Sequence, residues 1–341
     1  NVVLDLNGQE AVWHNFLKKV GYTDEEAKDW LTGPGYYAWQ FMSNMETFNG
    51  PVSDTWIKER LDLARRNQHF MRVLGMEPVY QAYSGEIPVN IKEKDLDIDI
   101  VSQGYWMRFD RPSMIRTTSE SYQKYSTLFY EAQEEVLGAN THYYATDPFH
   151  EGGNKGDMDE AEIGEIVYDK LKEVHPDATW IIQSWSLQAD TISRLSEEEK
   201  ENGLLVLDLE ADKFPRYDEV KEGSFSEPEF DGTPWVFYIL DNFGGRQGVQ
   251  AELDLMANLY EEVYLNTKHM KGIGLSSEGT WANPIQYELL FESAWHEGPV
   301  DLDEWIDQYV ERRYGASTPQ AQAAWDIFRK TAYAYPKGGH T

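Results

Sequence analysis

The sequence contains no cysteine. That removes disulfide frameworks, thiolate nucleophiles and Cys-ligated zinc, and leaves the compartment open while suiting a bacterial export product. Basic residues are scarce as well: 30 Lys and Arg against 60 Asp and Glu give a formal charge of −30. Nucleic acids and anionic membranes both demand Lys/Arg patches, so neither is an expected partner. No apolar run approaches the ~20 residues of a membrane span, so no membrane insertion is expected. No signal peptide is visible. The eight His form no HxH or HExxH pair, so metal hydrolysis has no support. No GxSxG marks a nucleophile elbow. Gly8, alone after the first strand, makes no phosphate loop.

What the chain does have is core material: 41% hydrophobic and 14% aromatic residues in a length of 341, enough for one large domain or two ordinary ones. Seven apolar runs bounded by turn residues read as strands: 1–6, 77–83, 142–146, 179–185, 204–211, 235–242 and 271–277. Between them, apolar periodicity predicts helices over 9–20, 24–31, 54–74, 119–137, 158–174, 190–202, 249–266 and 284–295, and two closing helices over 301–314 and 318–335. Asp54 is the expected cap of the third helix, with Ile57, Leu61, Leu63, Ala64, Phe70 and Val73 along its apolar face. Residues 33–51 and 85–110 read as long insertions. Strands that are apolar throughout and alternate with helices belong to a parallel sheet covered on both faces. Because eight strands close a barrel, the economical reading is an α/β fold, a (β/α)8 TIM-type barrel. The chain opens inside a strand, so its first βα unit is expected upstream of Asn1 and the sequence is expected to be a piece of something longer. A doubly wound open sheet is the rival, but it should carry a phosphate loop.

Two strand ends carry a carboxylate. Tyr143–Ala145 lead to Asp147-Pro148, which stops the ladder, and then to His150, Glu151 and Gly152-Gly153. In the run KGIGLSSEG, Glu278 precedes a glycine. Barrels place catalytic acids just past the C-terminal ends of strands, although a single such carboxylate more often caps the next helix. A pair of carboxylates among Trp and Tyr rings suits a sugar site, with acid and nucleophile roles and aromatic platforms. A non-catalytic sugar-binding barrel would show the same features. Asp147 and Asp208 read as loop-orienting or capping groups, and His150 as a positioning residue rather than a base. Trp30, Trp295, Trp305 and Trp325 sit at helical spacing and read as core. The run DLDIDI at 95–100 lacks the turn glycine of a calcium loop and reads as a solvated strand edge.

The runs GPGYYAWQFMSN, TWIIQSW, LLVLDLEA, DNFGGRQG and GIGLSSEGTWANPIQYELLFESAWH, followed by ERRYG, resemble the α-N-acetylglucosaminidase family. That family includes the lysosomal heparan-degrading enzyme and secreted bacterial mucin-acting enzymes. The likeness runs from about Asn1 to Gly315. It implies a catalytic barrel over 1–300, missing its first unit, and the start of an all-helical C-terminal domain over 301–341. It also implies a retaining exo-glycosidase that removes terminal α-linked N-acetylglucosamine from a glycan without a cofactor or metal. Glu151 would be acid/base and Glu278 nucleophile, with Trp39, Met42, Trp106, Trp185 and Leu209 walling the pocket. His150 joins the substrate-binding set, where animal members carry an amide. A retaining glycosidase of other sugar specificity is the neighbouring alternative. The setting would be secreted or cell-surface in a bacterium and lysosomal in a eukaryote; the oligomeric state is not indicated. In the motif loops only Lys155 and Arg246 are basic, so neutral mucin-type glycans are expected rather than polyanionic heparan.

Overall fold

The structure, a computed structural model, describes residues 2–4, 7–220, 224–245, 248–249, 251–279 and 283–334. Residues 1, 5 and 6 of the first expected strand, Tyr335 of the last expected helix and Arg246 lie outside them. The chain divides after Leu205 into two compact units.

In the first unit, four parallel strands follow one another in sequence order: β1 (Val2–Leu4), β2 (Glu77–Gln81), β8 (Tyr143–Ala145) and β9 (Thr179–Gln183). Their registers pair Val2 with Glu77, Val79 with Tyr143, and Tyr143 with Thr179. Val79 and Tyr80 of β2 and Trp180–Ile182 of β9 are buried consecutively rather than alternately, as expected of strands covered on both faces. The cover comes from α1 (Gln9–Val20), α4 (Asp54–Val73), α5 (Glu120–Leu137) and α6 (Glu160–Val174). Val12, Trp13, Phe16 and Leu17 form the buried stripe of α1, and Trp13 and Phe16 meet Phe129 of α5 edge-on. The short α2 (Asp24–Trp30) starts from a Thr23–Glu26 capping box, which satisfies backbone donors at its first turn.

Two details of α4 differ from expectation. Ser53 rather than Asp54 is the cap, its side chain accepting from the Trp56 N–H. Phe70 and Val73 are also off the buried face: they are 63% and 68% exposed, whereas the buried stripe runs through Ile57, Ala64 and Gln68, whose side chain accepts from Tyr80 Oη of β2.

The insertion between β2 and α5 builds two small antiparallel sheets. One has the order β3 (Glu86–Ile87), β7 (Ser113–Ile115), β4 (Ile100–Ser102); the other is the hairpin β5 (Tyr105–Trp106) and β6 (Phe109–Asp110). The 95–100 run is not a strand edge. Asp95 accepts from Tyr125 Oη at 2.6 Å and from the Asp97 N–H, closing a turn, and only Ile100 enters a strand. A short carboxylate that bonds its own backbone two residues on competes with the ladder, which is why the alternation misleads.

In the second unit β10 (Leu204–Asp208), β11 (Trp235–Asp241) and β12 (Met270–Ser277) are again parallel and in order. Val206 pairs with Trp235 and Phe237 with Ile273. The expected helix over 249–266 is broken into Leu253–Ala257, Leu259–Glu262 and a 3-10 turn at Tyr264–Asn266. Asn258 sits at the break, where both its backbone N–H and its side-chain amide donate to Asp254 O, at 3.2 and 2.7 Å. Likewise 190–202 resolves into a 3-10 turn, Asp190–Ile192, and α7 (Glu197–Gly203), which starts from a Ser196–Glu199 capping box. Helices Pro284–Ser293, Leu302–Tyr314 and Pro319–Lys330 close the chain. Trp30, Trp305 and Trp325 are core, but Trp295, just past the end of its helix, is 88% exposed. Among the described residues no helix is long and apolar enough to cross a membrane.

Candidate active site

Each unit carries one of the two glutamates. Past β8, Asp147 accepts from the Gln183 N–H at 2.7 Å, tying the loop to the end of β9. The chain then turns through left-handed backbone at Phe149 (φ 57), Glu151 (φ 48) and Gly152 (φ 80). That turn lifts the Glu151 side chain out to solvent. Two residues of the insertions hold it. Asn44 Nδ2 donates to Glu151 Oε2 at 2.8 Å. Arg111, only 2% exposed, donates to Asn44 Oδ1 at 3.0 Å, to His150 O at 2.8 Å and to Glu151 O at 2.9 Å. Gly153 is needed for closeness: a Cβ there would lie 2.6 Å from Gln103 Oε1, whose amide nitrogen is spent on Ser43 Oγ and Pro112 O.

His150 is buried, with Nδ1 2.8 Å from Ser186 Oγ and 3.7 Å from Asp147 Oδ2. Burial, reinforced by the Arg111 charge, holds its pKa down to about 4, while burial pushes Asp147 up to about 7. Near neutral pH the imidazole is therefore neutral, and the contact with Asp147 is not an ion pair.

The aromatic residues of this unit form a run of rings. Trp39, 37% exposed, stacks on Trp106 at 6.2 Å, Trp106 stacks on Phe109 at 6.3 Å, and Phe109 meets Phe48 edge-on at 4.7 Å. Met42, half-buried, ends the short helix α3 (Tyr37–Phe41) two residues before Asn44. Trp185 is half-buried two residues beyond β9. Lys155 is paired with Glu160 at 2.7 Å.

In the second unit Glu278 follows β12 directly. Its N–H donates to Asp241 O at 3.0 Å, continuing the parallel ladder one residue past the strand, and the Gly244 N–H donates to its Oε2. Beneath it, the buried Asp241 accepts from Tyr287 Oη. Asn242, left-handed at φ 56, donates to Ser277 Oγ at 3.2 Å. A Cβ on Gly274 would lie 2.2 Å from the Tyr238 ring, so only glycine lets these two strands meet there. Leu209 is buried at the end of β10, and Asp208 accepts from the N–H groups of Arg216 and Tyr217 at 2.9 and 3.0 Å, a loop-orienting role. A hollow of about 410 Å³ in this unit, lined by Asn283, Tyr309, Trp325 and Tyr333 among others, takes in no part of Glu278. Among the described residues no cluster of His, Asp and Glu could hold a metal ion.

Asn44, Arg111, Asp241 and Tyr287, which bond the two glutamates or the strand end beneath Glu278, are the residues that sequence reasoning missed. Asn44 closes the run GPGYYAWQFMSN, where nothing distinguishes its amide from any other loop asparagine. Arg111 carried no signal beyond being a cation beside an aromatic insertion.

A glutamate past the C-terminal end of a parallel strand in each unit, six residues beyond β8 and one beyond β12, is the placement in which α/β proteins with parallel strands hold functional carboxylates. The chain belongs to the alpha-N-acetylglucosaminidase family: the profile of the alpha-N-acetylglucosaminidase (NAGLU) tim-barrel domain matches residues 1–297, and that of its C-terminal domain matches 305–341. Human alpha-N-acetylglucosaminidase is 29% identical over 98% of this chain and 46% of its own length. A family 89 glycoside hydrolase from Clostridium perfringens, solved in complex with PUGNAc, is 38% identical with a TM-score of 0.93 over 100% of this chain and 38% of its own. A variant of such an enzyme from the same organism, with two glutamates changed to glutamine and in complex with its substrate GlcNAc-α-1,4-galactose, is 37% identical with a TM-score of 0.92. The chain thus spans less than half the length of these relatives.

Proposed function

We propose that this chain carries the catalytic barrel of a retaining exo-glycosidase for terminal α-linked N-acetylglucosamine. Glu151 protonates the glycosidic oxygen while Glu278 attacks the anomeric carbon; Glu151 then takes a proton from the water that releases the sugar. The observation that carries the reading is the coincidence of two glutamates past parallel strand ends with a solved relative, changed from glutamate to glutamine at two positions, in complex with its substrate GlcNAc-α-1,4-galactose. In the same proposal the seven parallel strands belong to a (β/α)8 barrel ending near residue 300, and residues 301–341 open a helical domain. Trp39, Met42, Trp106, Trp185 and Leu209 wall the pocket, and His150 backs it. The formal charge of −30 favours neutral glycans over sulfated ones, met outside a bacterial cell or at its surface.

Azide rescue tests the roles. Glu278→Ala with azide should give the β-glycosyl azide, because azide enters where the nucleophile stood. Glu151→Ala should spare aryl glycosides with good leaving groups in the first step and give the α-azide. Reversed anomers would mean the two roles are exchanged. Tight binding of the disaccharide with no release of p-nitrophenol from the aryl α-glycoside would favour a sugar-binding barrel instead.

A further inference from the structure

We propose that Asn44 fixes which oxygen of Glu151 carries the catalytic proton, and that Arg111 holds Asn44 in the one orientation that does so. The inference rests on Glu151 being the acid/base of the proposed reaction. A guanidinium has donors only. The Asn44 atom facing Arg111 at 3.0 Å is therefore its oxygen, which settles the direction of the amide. Its nitrogen then faces Glu151 Oε2 at 2.8 Å. An amide N–H can only donate, so Oε2 accepts from it, and the carbonyl oxygen of an acid accepts better than its hydroxyl oxygen. The proton of the acid form is thereby favoured on Oε1. From Oε1 it passes to the glycosidic oxygen as the C–O bond breaks and the leaving alcohol keeps the bonding pair. In the second half-reaction Oε1 takes a proton from water.

The surroundings are built to keep this arrangement. Asn44 is fully buried. Arg111 turns its N–H groups toward neutral acceptors, the carbonyls of Ser43, His150 and Glu151 and the amide of Asn44, rather than toward the Glu151 carboxylate. Arg111 thus reaches the Glu151 carboxylate through the Asn44 amide rather than by a direct guanidinium–carboxylate pair. Non-glycine residues in left-handed backbone stand on both sides of the contact, Ser43 (φ 66) before Asn44, and Phe149 and Glu151 opposite, and Arg111 braces the carbonyls of Ser43 and Glu151. Strain that the surrounding bonds over-determine in this way gathers at functional positions. The charged or titrating groups around the carboxyl are Arg111 from the insertion, His150 in the same turn and Asp147 behind the imidazole.

The test uses the longest natural polypeptide that carries this chain. Asn44→Asp keeps the shape and the Arg111 partner but replaces the donor by an anion. The basic limb of kcat/KM should move up by roughly one pH unit, because ionising Glu151 then meets a like charge. Asn44→Ala should lower kcat on GlcNAc-α-1,4-galactose by roughly 100-fold, the scale of lost acid catalysis. On an aryl glycoside with a good leaving group it should lose under about tenfold, with KM little changed. Equal losses on both substrates, with the pH profile in place, would mean that Asn44 is only structural and would overturn the proposal. If the Asp variant does not fold, the leaving-group ratio of the Ala variant decides. Glu151→Ala separates this proposal from the reading beneath it. If it retains disaccharide activity, the assignment of Glu151 has failed; if it collapses while both Asn44 variants follow the wild type, only the role of Asn44 has.

Discussion

For an L-residue, left-handed backbone costs about 1–2 kcal/mol relative to the right-handed form, and Glu151 sits there at φ 48, ψ 43. That cost has a signature separable from chemistry. At an ordinary position glycine is less stable than alanine by about 0.5–1 kcal/mol. At 151 the order should invert, with Glu151→Gly unfolding at higher denaturant than Glu151→Ala by about 1 kcal/mol. Alanine equal to or above glycine would show that the turn is relaxed. The sequence announced a turn here through Gly152-Gly153 but not its handedness, because nothing local requires Phe149 or Glu151 to be left-handed. The requirement comes from Arg111, 40 residues away, and Asn44, 107 residues away. Contacts of that range leave no mark in spacing, so the position of the two glutamates past their strands was legible and the residues that hold the first of them were not.

At the scale of elements, the strands were legible as short, largely apolar runs between turn residues, although only some bury consecutive residues: β9 does, β10 alternates and β12 stays mostly half-buried. Helix limits were less so. An apolar residue need not lie on the buried face: in α4 the stripe passes through Gln68, a polar residue, and leaves Phe70 and Val73 exposed. One element contact makes a sharp prediction. Gly164 lies in the middle of α6, where alanine alone would favour the helix by about 1 kcal/mol. A Cβ there would stand 1.7 Å from the carbonyl oxygen of Thr191, an atom of the backbone. Gly164→Ala should therefore destabilise, by about 2–3 kcal/mol, as overpacking against an unyielding neighbour does. A thermal midpoint at or above that of the parent would show that α6 and the 190–192 turn are not packed this closely.

Over the whole molecule, buried acids set the response to pH. Burial is the first cause that pushes Glu46 up to about 8 and Asp147 and Asp212 up to about 7. Each therefore binds its proton more tightly folded than unfolded. Its contribution to stability is complete below about pH 4, the ordinary carboxylate range, and is lost as pH rises through 7 to 8. Repulsion within a chain of formal charge −30 acts in the same direction. His150 opposes them: with its pKa lowered to about 4, its contribution is complete above about 6.5 and is lost as pH falls through 4. The thermal midpoint should therefore be highest on the acid side of neutrality and fall between about pH 6 and 8.5 at constant ionic strength. Asp147→Asn, which can still accept from the Gln183 N–H, should flatten that fall. A midpoint that climbs across the window would contradict the burial of these carboxyls. The same three acids make folding a proton-consuming reaction near pH 6. The heat of unfolding read by a calorimeter then includes the heat of the buffer as it absorbs the released protons. Scans in phosphate and in an amine buffer at one pH should differ in apparent enthalpy, and the slope against buffer ionisation heat counts the net protons released, those of the three acids less the one His150 takes up.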